Sequence, residues 1–208
     1  MRRTGSPARP ATGADLPALS GLLAAELAAG PIAAWLVPDP AHRRPVLHAY
    51  ARFVLAHGLA HGQVDTTCDR TAVAVWYPRR AAPEPAAALL FGLCRVLGAQ
   101  AARFALLHAQ TDAVHPHIPH HHLAQLAGDH DAARRLLVAR HRLLDPHGLP
   151  SYAEVVTDRP RECLLGRLGY APRTPVLLGG GPALWRMWRA APATARRCRA
   201  GCGCTGPR

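Results

Sequence analysis

Five histidines fall between residues 115 and 122, as His115, His117, His120, His121 and His122, interrupted by Pro116 and Pro119. Imidazoles at this density can ligate a metal or move protons near neutral pH. The two prolines constrain the backbone and no Asp, Glu or Cys lies within the run, so a metal centre is not expected. On a strand, His120 and His122 share one face and His121 takes the other, so only part of the group can line a cleft. Glu154 lies in a second β-prone run, Ser151–Thr157. A carboxylate and an imidazole can each take up a proton as a general base, and Glu154 and His122 are the candidates for that role. The competing assignment for Glu154 is an ion pair with an arginine. Arg134 and Arg135 stand near the start of a helical segment, where guanidinium groups can meet phosphates or simply face water.

The elements that would position these residues alternate along the chain. Leu16, Leu19, Leu23 and Leu27 repeat at helical spacing over 14–29, and Gly30-Pro31 stops the run. Asp39 and Pro40 suit the start of a second helix, with Val46, Leu47, Tyr50, Phe53 and Val54 as its apolar stripe and Pro45 inside it. Extended character follows at Gln63–Thr67 and Thr71–Tyr77, a hairpin turning at Cys68-Asp69-Arg70. Helices are predicted over 85–97 and 99–113, a strand over His121–Ala127, a helix over about 131–145, the strand 151–157 and a helix over about 160–168. Two last strands, Thr174–Leu178 and Ala183–Trp188, join across Gly179-Gly180-Gly181-Pro182. This order predicts an α/β chain, a central mixed sheet with helices on both faces. Strand 71–77 should pair antiparallel with 121–127, which in turn should run parallel to 151–157.

At 208 residues there is room for one domain, 9–189, preceded by a flexible arm at 1–8 and followed by a disordered Arg/Gly/Cys-rich tail at 190–208. The formal charge of +12 does not point to nucleic acid: every basic residue is Arg, no Lys or Asn occurs, and G/C-rich codons produce that bias. Between Asp15 and Arg173 sixteen arginines face thirteen acids, so the excess charge sits at the ends. Cys198, Cys202 and Cys204 match no standard zinc spacing. With no long apolar run and no export signal, the expectation is a cytoplasmic chain without a membrane span.

Several phrases, in order, resemble the GNAT superfamily of acyl-CoA-dependent N-acetyltransferases. They are Arg9-Pro10-Ala11-Thr12 with Asp15-Leu16-Pro17, Trp35-Leu36-Val37-Pro38-Asp39, Ala72-Val73-Ala74-Val75-Trp76, Pro119-His120-His121-His122-Leu123 with Leu126-Ala127, Gly148-Leu149-Pro150 with Glu154, and Gly169-Tyr170. The resemblance covers about Arg9 to Arg189. It implies acetyl-CoA as co-substrate, a primary amine of a small molecule or peptide as acceptor, and backbone donors at Leu126, Ala127 and Gly128 near the thioester. In that family a glycine-rich turn then cradles the pyrophosphate on backbone N–H groups. Here the turn reads Gly128-Asp129-His130-Asp131-Ala132-Ala133, a shortened loop with two acids and no further glycine. Leu165 stands where many relatives carry a tyrosine that protonates the leaving thiolate. The resemblance therefore leaves two functions open, an N-acetyltransferase whose cofactor contacts include Arg134 and Arg135, or a non-catalytic protein of the same fold with weak or no CoA binding.

Overall fold

Strand β3 (Ala72–Arg79) sets the frame, because its alternation feeds two separate cores. Val73 and Val75 enter one apolar cluster, while Ala72, Ala74 and Trp76 enter the other, and all five are buried. The structure is a computed structural model that describes residues 6–79 and 87–192. The tail cysteines Cys198, Cys202 and Cys204 lie outside the described residues.

The chain runs β1 (Ala8–Pro10), α1 (Leu16–Ala29), α2 (Ala33–Leu36), α3 (Pro40–His61), β2 (Gln63–Thr67), β3, α4 (Ala87–Leu97), α5 (Ala101–Ala113), β4 (His120–Gly128) and α6 (His130–Leu144). It continues through β5 (Ser151–Val156), α7 (Leu164–Arg167), β6 (Ala171–Pro172), β7 (Val176–Leu177) and β8 (Ala183–Arg189). The sheet order is β1-β2-β3-β4-β5-β8-β6, with β7 also on β8. Strands β3 and β4 pair antiparallel and β4 and β5 parallel, with α6 as the crossover, which is the predicted arrangement. Helices cover both faces: Leu19, Leu23, Leu47, Tyr50, Val54, Leu93 and Phe104 pack on one, and Ala132, Ala133, Leu136, Leu137 and Leu165 on the other.

Local chemistry explains the boundaries. Asp39 accepts from Ala41 N at 2.9 Å and caps α3, with Pro40 as its first residue. Asp15, almost fully buried, accepts both Arg9 nitrogens at 2.8 Å, Arg70 Nε at 2.6 Å and Thr12 N at 3.0 Å. These donors hold its carboxyl far below the usual range, the Arg9 hydrogen bonds first among them. They also tie the β1–α1 junction to the β2–β3 turn. Ala8 pairs with Thr67, so the arm expected over 1–8 gives way to sheet earlier than its predicted end. The helix expected over 160–168 shrinks to α7, because Pro160 opens a turn in which Glu162 N and Cys163 N both bond Arg159 O. The run Ala88–Ala113 has the length and mean hydropathy, 1.4, of a membrane span. A 3-10 turn at Gly98–Gln100 divides it, and Leu93, Leu97, Ala101 and Phe104 belong to a core.

Candidate active site

Pairing between β4 and β5 is brief: His121 faces Ser151, His122 faces Tyr152 and Leu123 faces Ala153. Beyond these residues β4 stays with β3 and β5 with β8, so the two strands diverge. At the same point β4 carries a bulge. Val75 faces Gln125 and Trp76 faces Leu123, leaving Ala124 as the extra residue. The bulge resets the alternation, so Leu123 and Leu126, three apart, both reach the α6 core.

Two cavities meet at this bulge, sharing Ala124 and Gln125. The larger, about 530 Å³, fills the wedge between β4 and β5 under α1 and is lined by Leu126, Ala127, Gly128, Glu154, Cys163 and Leu165 among others. The smaller, about 300 Å³, lies between α3, α5 and the β3–β4 pair, with His57, His61, Tyr77, His108, Asp112 and His122 on its wall.

His122 Nε2 and Glu154 Oε2 are 2.8 Å apart, with side-chain exposures of 13% and 11%. The register explains the contact: Glu154 lies two residues beyond Tyr152, the partner of His122, and so on the same face. Burial alone would raise the Glu154 carboxyl, but the charge and hydrogen bond of His122 outweigh it and leave the group below its ordinary value. Glu154 is therefore a carboxylate at neutral pH and accepts from His122 Nε2–H, and in the neutral form of that imidazole the lone pair lies on Nδ1. Nδ1 and Glu154 Oε1 are buried without a hydrogen-bond partner among the described residues. Among the described residues Glu154 pairs with no arginine; His122 takes that place.

His115 and His120, 3% and 1% exposed, complete the cluster. His120 Nδ1 lies 2.7 Å from Ile118 O, an obligate acceptor, so His120 Nε2 accepts from His115 Nε2–H at 3.0 Å. Burial pushes His115 down to about 3 and His108, in the smaller cavity, to about 4, while it raises Asp112. His57, His61, His108 and Asp112 were missed by the sequence reading. Their signal was the four-residue spacing of each pair, on α3 and α5 respectively, which places both members on one helix face.

At the other end of β4 the loop is closed. Gly128 (φ +114°) turns the chain where a Cβ would lie 2.2 Å from Thr71 O, so no other residue fits. Asp129 Oδ1 accepts from Asp131 N at 3.1 Å and Ala132 N at 3.0 Å, and Ala133 N bonds Asp129 O at 2.8 Å. Asp129 N bonds Thr71 O, and Glu26 Oε2 lies 3.5 Å from Gly128 N. The helix-start amides that would hold a pyrophosphate thus already hold protein carboxylates. Leu126, Ala127 and Gly128 line the larger cavity, whereas Arg134 is exposed, Arg135 is half-buried, and neither lines it.

No protein-family model matches the chain, and no curated protein does. Solved structures do. A histone acetyltransferase HPA2 and related acetyltransferase from Corynebacterium glutamicum aligns over 92% of this chain and 99% of its own, at 23% identity and a TM-score of 0.66. The arylalkylamine N-acetyltransferase 2 of Aedes aegypti aligns over 89% and 98%, at 11% identity and a TM-score of 0.56. A GCN5-related N-acetyltransferase from Rhodopseudomonas palustris aligns over 91% and 98%, at 12% identity and a TM-score of 0.54. A mixed sheet that parts between its parallel central strands, cavities meeting at a bulge, and these alignments together give the chain the fold of the GCN5-related N-acetyltransferases.

Proposed function

We propose that the chain transfers an acetyl group from acetyl-CoA to a small primary amine, with His122 as the base and Glu154 as its orienting partner. The observation that carries this reading is the His122–Glu154 pair beside the junction of two cavities, one an open wedge and the other a small pocket with ionisable side chains on its wall. The wedge suits an extended thioester arm, since backbone N–H groups of β4 that do not bond β3 face into it beyond Leu123. Such donors stabilise the negative charge that develops on a thioester oxygen. The pocket of about 300 Å³ suits a small amine or a single side chain rather than a folded partner. His122 Nδ1 accepts the amine proton, and the Glu154 carboxylate stabilises the imidazolium that results. The chain's place is then the cytoplasm, where acetyl-CoA is available.

The pyrophosphate fits less well than the arm. Asp129 occupies the amides of Asp131 and Ala132, and its charge opposes phosphate. This observation favours the second reading, a non-catalytic protein of the same fold with weak or no CoA binding. Release of free thiol from acetyl-CoA in the presence of a panel of primary amines separates the two. Amine-dependent release that Glu154→Gln abolishes supports the transferase; no release with any amine and no saturable binding in calorimetry supports the alternative.

A further inference from the structure

The sequence contains no acid within its histidine run, but the fold delivers one from β5. One nitrogen of His115, one of His122 and one oxygen of Glu154 lie within 4.8 Å of one another, and all three residues are buried or nearly so. A second observation is independent of this distance: Glu154 Oε1 is buried with no hydrogen-bond partner among the described residues. A buried carboxylate oxygen without a partner is costly, and a cation held by the same carboxylate would offset that cost. The surroundings also hold these rings for ligation. His115 donates from Nε2 to His120, whose own proton is fixed by Ile118 O, so the His115 Nδ1 lone pair is free to bind a cation.

We propose that His115, His122 and Glu154 bind a zinc-class divalent cation, and that this cation reversibly blocks the base. Two imidazoles and one carboxylate are a borderline donor set that suits Zn²⁺, whereas Mg²⁺ and Ca²⁺ seek all-oxygen sites. The cation replaces the proton between His122 Nε2 and Glu154. The ring proton then resides on Nδ1, the atom that accepts the amine proton in the transfer. Binding and transfer are thus exclusive, a clause that rests on the proposed function, whereas the metal site itself does not.

The experiment uses the full chain with Cys198, Cys202 and Cys204 changed to Ser, which removes the tail thiols as competing ligands. After chelator treatment the protein is titrated with Zn²⁺ against a chromophoric chelator, and with Co²⁺ for its visible absorption. One equivalent of Zn²⁺ and an intense low-coordinate Co²⁺ band are expected. His115→Ala should weaken Zn²⁺ binding by at least about tenfold and lose the band, with a melting curve and His115→Gln as checks on folding. In the transfer assay zinc should inhibit the parent protein, and the zinc concentration that halves the rate, each variant taken against its own zinc-free rate, should rise at least about tenfold in His115→Ala. No stoichiometric binding, or binding undiminished in both folded His115 variants, overturns the site. Binding with no effect on an active enzyme overturns the blocking clause. Absence of transfer in metal-free protein counts against the transferase reading and leaves the absorption result to decide the metal site.

Discussion

The two ends of β4 border the two cavities that meet at its bulge, and they treat their polar groups in opposite ways. Around His122 the fold buries nitrogen and oxygen atoms that have no partner among the described residues, with His122 Nδ1 and Glu154 Oε1 at the centre. Around Gly128 it satisfies nearly everything itself, with amide hydrogens on Asp129, Thr71 and Glu26. An unpaired buried group costs free energy until something binds it, while a satisfied one resists any ligand that must displace its partner. One end therefore stands open to chemistry and the other is closed by the chain's own acids.

The largest expected effect tests the open end. Glu154→Gln keeps the shape but cannot hold the His122 proton as a carboxylate does, so the thiol-release rate should fall by roughly 10²–10⁴ with the melting temperature little changed. An unchanged rate would mean that the open end is not where the proton goes.

Acid should act next. Burial drives His108 down to about 4, and His141, in the other core and 2.9 Å from Tyr170 Oη, likewise to about 4. Unfolding exposes both to protons near their ordinary value of 6.5. Between about pH 6.5 and 4 the unfolded chain binds more protons, so stability is full above that window and declines as pH falls through it, each histidine contributing up to about 3 kcal/mol. Urea midpoints measured across this range should drop toward low pH, and His108→Gln should flatten the slope. A flat profile would show that these rings are hydrated.

The smallest effect tests the closed end. Asp129→Ala removes the α6 cap at a cost of about 1 kcal/mol, while freeing the amides of Asp131 and Ala132. Affinity for acetyl-CoA, measured by calorimetry, should rise roughly tenfold as one repelling charge is lost, even as the melting temperature falls. If affinity drops instead, Asp129 is part of a cradle and the two ends are alike. In the same titration, Arg134→Ala with Arg135→Ala should change little, since neither side chain lines the wedge.

Most of the fold was legible because its segments are periodic and their ends are marked. The hairpin at Asp69-Arg70, the cap at Asp39 and the parallel crossover through α6 all followed from residue types and spacing. Elements too short to show a period were not legible: α2 has four residues and β6 has two. Of the site, His122 and Glu154 could be named singly. Their contact depends on register, His122 opposite Tyr152, which no local pattern specifies. His115 was passed over as a partner for the same reason, since its neighbours come from a strand and a sheet pairing that bring Glu154 across. Asp129 was seen as a charge near phosphates but not as the cap that takes their amides.

The bulge at Ala124 makes β4 two half-strands out of phase by one position. Substitutions along either half alter one cavity wall at a time, but a change in length does more. Deleting Ala124 would leave Leu123 opposite Trp76 and Gln125 opposite Val75, each side chain on its present face, but would remove the extra residue that kinks the strand where the two cavities meet. Both cores would keep their side chains, and the strand would lose the kink between its histidine side and its thioester side. The strand thus tolerates drift in its letters far better than in their count.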